Sequence, residues 1–107
     1  MQQRVLAQSN PVATTLTDIY TVTAPYNSVT ISSVSICNRS AVATSFRVAI
    51  AKAGAADDPK QYIYYDLPIP GNETFIFTIG VTMAVTDVLR VYATLATLSF
   101  NVFGAEL

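Results

Sequence analysis

Apolar residues in this chain recur at every second position, the spacing of a strand with one face in a core. Over 44–52, Phe46, Val48 and Ile50 fall on one side and Arg47 on the other. No window holds a 3.6-residue apolar period with caps at both ends, so little or no helix is expected. Thr, Val, Ile, Phe and Tyr are abundant, and these residues suit a pleated, half-buried surface. Short runs of this kind alternate with turn residues at regular intervals. About eight strands result, and the fold class they predict is an all-β, antiparallel β-sandwich, jelly-roll or Ig-like.

A chain of 107 residues suits a single domain with a real core. Residues 1–11 read as an edge strand or an oligomerisation arm, carried by Val5-Leu6-Ala7. Strands are expected over 18–24, 28–38, 44–52, 60–66, 74–79, 88–94 and 98–103, with 81–86 a short strand or one helical turn. Within 28–38 the apolar phase switches from Val29 and Ile31 to Val34 and Ile36, which predicts a bulge near Ser32–Ser33. Residues 53–59 and 67–72 read as loops. Residues 74–79 are apolar on both faces, which predicts a central strand with Phe77 buried in it.

Charged residues make up 12% of the chain, against about 25% in a usual soluble domain. Ser, Thr, Gln and Asn must therefore furnish the polar exterior. Such groups are easier to desolvate than Lys or Glu, so they suit contact with other subunits. The net charge of −1 leaves no footprint for nucleic acid. No apolar run is long enough for a membrane helix, and the opening residues lack the apolar core of a signal peptide. Synthesis and folding in a cytoplasm is the expectation.

The chain has no His, the usual general acid/base and metal ligand at neutral pH. Cys37 has no partner for an internal disulfide and no base to activate it, so it reads as a packing residue. Asp57-Asp58 before Pro59 reads as turn chemistry, because a Ca²⁺ site needs more oxygen ligands than stand nearby. Asp66, Glu73 and Asp87 are carboxylates without a defined pairing for glycoside hydrolysis. No catalytic, cofactor-binding or metal-binding residue is assigned, no cofactor is implied, and the reading is not an enzyme. One local feature stands out: Tyr62-Ile63-Tyr64-Tyr65. Strict alternation puts Tyr62 and Tyr64 on one face, Ile63 and Tyr65 on the other. Tyr62, Tyr64 and Tyr65, together with Val5 and Leu6, are the candidate interface or ligand surface.

The order of segments carries a resemblance. It runs through Arg4-Val-Leu-Ala-Gln-Ser, Ala13-Thr-Thr-Leu-Thr-Asp-Ile-Tyr-Thr-Val, Ser35-Ile-Cys-Asn-Arg-Ser and Phe46-Arg-Val-Ala-Ile. It continues through Tyr62-Ile-Tyr-Tyr-Asp, Asp87-Val-Leu-Arg-Val-Tyr-Ala and Leu98-Ser-Phe-Asn-Val-Phe-Gly. Taken together these segments resemble small all-β virion structural proteins of tailed bacteriophages, including those of cyanophages. The resemblance implies a non-enzymatic part of the virus particle, made in the host bacterial cytoplasm. A capsid decoration or cement protein is favoured, with a neck, collar, tail or fibre-attachment component as the alternative. The implied partners are further copies of the chain, with a trimer as one closed ring, and other virion proteins. A second class of function is a carbohydrate-binding, receptor-recognising module, resting on Tyr62–Tyr65 and the polar loops around Asn38 and Asn72.

Overall fold

The computed structural model describes residues 2–107. Nine strands account for most of them: β1 (Gln2–Ser9), β2 (Thr17–Thr21), β3 (Ser28–Asn38), β4 (Thr44–Ala51), β5 (Tyr62–Ile69), β6 (Thr74–Phe77), β7 (Val81–Ala84), β8 (Val88–Ala93) and β9 (Leu98–Glu106). Two single 3₁₀ turns, Lys52–Gly54 and Pro59–Gln61, are the helical content among the described residues. A first sheet runs β1-β9-β3-β6, with β7 also on β3, and a second runs β2-β8-β4-β5. All pairings are antiparallel.

The connectivity is that of a jelly roll. β6 pairs with Val34–Cys37 and β7 with Ser28–Ile31, so the two are halves of one interrupted strand along β3. The Ile79 N–H donates to the Ser32 carbonyl (3.2 Å) across the interruption. With β6 and β7 taken as one, eight strands pair first with last: β1 with β9, β2 with β8, β3 with β6/β7 and β4 with β5. This is a long hairpin rolled into a sandwich, with β9–β3 and β8–β4 joining the pairs into sheets. Of the jelly-roll and Ig-like arrangements expected, the chain adopts the first.

The core lies between the sheets and centres on Phe46, which is fully buried. Its ring meets those of Tyr64, Phe75, Phe77 and Phe100 at centroid distances of 6.2 to 6.5 Å, mostly edge-on. Val29, Ile31, Val34 and Ile36 of β3 all point into it. They can do so because β3 bulges between Ile31 and Ser33, where the apolar phase changes. Along one side, Glu106 ties the sheets together. Its buried carboxylate accepts from Arg4 Nε of β1 and from the Tyr20 hydroxyl of β2 (2.7 Å). Arg4 in the first place, with help from Tyr20, holds that carboxyl below its ordinary range, whereas burial and Glu106 push the Tyr20 phenol up.

Two local expectations are corrected, and one open alternative is decided. The segment read as a loop over 67–72 is strand as far as Ile69, with Pro68 tolerated because β5 is an edge strand. The run over 74–79 is not central. It ends as a strand at Phe77 and forms the edge of the first sheet, with Phe77 half-buried and Ile76 69% exposed. Of the two alternatives for 81–86, the structure takes the short strand, β7, over Val81–Ala84, followed by a turn.

Candidate functional site

The two outer faces of the sandwich differ in chemistry. Register and burial place Gln3, Val5 and Gln8 of β1 on the outside of the first sheet, opposite Ala105, Phe103 and Asn101 of β9. Beside them stand Thr30, Ser33, Ser35 and Cys37 of β3, then Thr74 and Ile76 of β6 and Thr82 of β7. No charged side chain stands among these outward residues. Neutral amides and hydroxyls form the surface, with Val5, Phe103 and Ile76 as apolar points on it. Gln8 Nε2 donates to Asn101 Oδ1 (2.8 Å), and Ser32 Oγ donates to the Phe103 carbonyl (3.1 Å), two bonds made within the face.

Charge is concentrated on the outside of the second sheet. Arg90 Nε donates to Asp18 Oδ1 (2.7 Å) and Arg90 Nη1 to the Ala55 carbonyl (2.8 Å). The latter bond, with Asp87 Oδ1 accepting from the Ala53 N–H (2.8 Å), lays the β4–β5 loop against the sheet. Arg47 Nε donates to Asp66 Oδ1 (2.6 Å) and Nη2 to Oδ2 (3.3 Å). The flat guanidinium also lies 4.2 Å from the ring centroids of both Tyr65 and Tyr92. Asp66 pushes the Arg47 pKa up, opposed by partial desolvation. Beside this stack, the loop and β5 enclose a cleft of about 430 Å³ lined by Arg47, Asp57, Pro59, Tyr62 and Tyr65. Tyr62 and Tyr65 meet edge to face at 5.0 Å, and the Tyr62 hydroxyl donates to Asp57 Oδ1 (2.8 Å). Burial, reinforced by Asp57, pushes the Tyr62 phenol up, so it stays a donor at neutral pH.

The expected site residues separate. Tyr62 and Tyr65 share the cleft, but Tyr64 turns into the core and stacks on Phe77 at 4.5 Å. The expected pairing of Tyr62 with Tyr64 on one face is thus corrected. The register slips between Val48 and Ala49, leaving Ile63 as an extra residue that reverses the phase. Asp66, with φ of 51°, makes a second irregularity that keeps Tyr65 outward. Val5 and Leu6 also part company. Val5 is 47% exposed on the uncharged face, whereas Leu6 packs against the core over Gly104 at a slip in β1.

The loops around Asn38 and Asn72 do not join the tyrosines, since they adjoin the Ile69 end of β5 and Tyr62 begins it. Asn38 is buried and occupied: Nδ2 donates to the carbonyls of Val42 (2.9 Å) and Pro70 (3.2 Å), and Oδ1 accepts from the Ser40 N–H (3.1 Å). Asp58 accepts from the Lys60 N–H (3.1 Å), the turn role read for it, but Asp57 faces the cleft. Cys37 lies on the outer face, half-buried, opposite Thr74. Asp66, Glu73 and Asp87 fall on β5, the β5–β6 turn and the β7–β8 turn, and form no cluster. No signal in the sequence singles out Arg47 or Tyr92. Their juxtaposition depends on the β4–β8 register, which sets them directly opposite each other. No family model, curated protein or solved structure matches the chain.

Proposed function

We propose that this chain is a non-enzymatic structural protein of a phage particle, a capsid decoration or cement protein that acts as a homo-oligomer. The observation that carries the reading is the outer face of the first sheet, whose described residues are neutral but for Arg4 at the β1 edge, held by Glu106. A broad β face without Lys or Glu is a liability in an isolated molecule, because nothing on it opposes association. The same face suits an interface, whose centre favours apolar and neutral groups over charges. Contact between copies through this face would remove Val5, Phe103 and Ile76 from water at ~25 cal/mol per Å² of apolar area. A closed ring bound to a repeated lattice then multiplies modest contacts through effective concentration. The whole-chain resemblance to small phage virion proteins supplies the setting, and a neck or tail position uses the same adhesive face. Fold alone does not decide among these, since jelly rolls serve many roles.

Co-sedimentation with phage particles stripped of accessory proteins tests the reading. Wild-type protein is expected to pellet with the particles in a saturable manner. A Ser35→Lys, Ile76→Lys double variant is expected to stay in the supernatant. A folded wild-type protein that never pellets with any particle fraction would overturn it.

A further inference from the structure

We propose that the cleft bounded by Arg47, Asp57, Pro59, Tyr62 and Tyr65 is a binding site for a neutral saccharide. The proposal does not rest on the particle reading, because the cleft lies on the opposite face of the sandwich.

The volume, about 430 Å³, falls within the usual range for small-ligand clefts. Tyr65 is 60% exposed even with Arg47 over its ring and Tyr62 meeting it edge to face, so part of its side chain stays open to the cleft. A pyranose ring offers one face of C–H groups that can lie on such a ring, and hydroxyls around its edge that both donate and accept. The polar groups of the cleft are complementary to that edge. Asp57 can only accept and Arg47 can only donate, so neighbouring hydroxyls of one ring can serve both.

Charge argues against the obvious rival, an anion. Two carboxylates, Asp57 and Asp66, stand against one guanidinium, Arg47. Arg47 lies over the rings of both Tyr65 and Tyr92, and its Nε–Nη2 edge is taken by Asp66. A phosphate or carboxylate seeking the paired donors of that edge would have to displace Asp66. A neutral hydroxyl needs a single remaining N–H. The groups are also preorganised: each is held by a neighbour before any ligand arrives, and all rest on strand β5, its adjoining loop or β4. Little side-chain freedom is then left to lose on binding. The left-handed backbone at Asp66, uncommon for a residue other than Gly, sits at the same place and aims its carboxylate at Arg47.

Titration of the full chain with glucose, galactose, mannose, N-acetylglucosamine and their short oligomers, followed by amide NMR shifts, tests the site. Glucuronate and N-acetylarginine amide serve as anionic and cationic counter-probes. At least one neutral sugar is expected to bind by about 10 mM, with shifts centred on residues 47 and 57–66. Tyr65→Ala and Asp57→Asn are each expected to weaken that binding about tenfold or more with the rest of the spectrum unchanged. No neutral sugar binding at that concentration, shifts centred elsewhere, or occupation by the counter-probes alone would overturn the proposal.

Discussion

Glu106 carries more of the fold than its place at the end of the chain suggests. Its buried carboxylate is shared by Arg4 from the first sheet and Tyr20 from the second. Because its pKa lies below the unfolded value of about 4.3, the folded state favours the ionised form. The resulting stabilisation is complete above that unfolded value and is lost as pH falls through the lowered folded one. Chemical-denaturation midpoints measured from pH 7 down to pH 3 should therefore fall in acid. In Glu106→Gln the midpoint should be lower at pH 7 and its decline in acid shallower. Parallel profiles would mean that this carboxyl contributes nothing to the acid response. Gly104 gives a second single-residue test. A Cβ there would lie 2.2 Å from the Thr30 carbonyl oxygen and 3.0 Å from Leu6 Cδ1. Gly104→Ala is expected to destabilise by more than about 2 kcal/mol in urea unfolding, and a neutral result would show that β3 and β9 are looser than described.

The elements differ in how they bury their aromatic residues. Phe46 on central β4 has no exposed surface, so Phe46→Ala should cost about 3–5 kcal/mol. Phe77 on edge strand β6 already meets water, so Phe77→Ala should cost about 2 kcal/mol, less than a full core deletion. Urea midpoints at unchanged slope check the ranking, and equal losses would contradict the edge placement. Sequence patterning revealed the strands wherever one face is wet, as in β4 and β3. It revealed the β3 bulge because Val29 and Ile31 differ in phase from Val34 and Ile36, a change only an extra residue explains. It could not reveal the slip at Ile63, because Tyr-Ile-Tyr-Tyr is compatible with burial in either phase. It misplaced β6 for a related reason. An all-apolar run reads as central, yet here Ile76 faces outward on a surface that nothing charged interrupts. The cleft was half legible: its tyrosines stood out, but Arg47 and Tyr92 reach them only through strand pairings, and Asp57 read as turn chemistry although it bonds Tyr62 five residues on.

At the scale of the molecule, the sandwich is a slab with extents of 41, 28 and 19 Å and two unlike outer surfaces. One carries two ion pairs and a polar cleft; the other, among its described residues, is neutral but for Arg4 at its β1 edge, where it pairs with Glu106. A protein attached through the first sheet would present the second outward. If the outer face of the first sheet joins copies of the chain, sedimentation velocity of wild type beside the Ser35→Lys, Ile76→Lys double variant reveals it. Thr94→Lys, on the exposed second-sheet side, is the control. The expected result is a discrete wild-type oligomer that the control preserves, with the double variant a folded monomer, somewhat less stable because its two lysines stand opposite each other across β3 and β6. A wild-type protein that sediments as a monomer at every concentration, or a double variant that keeps the wild-type mass, would contradict it.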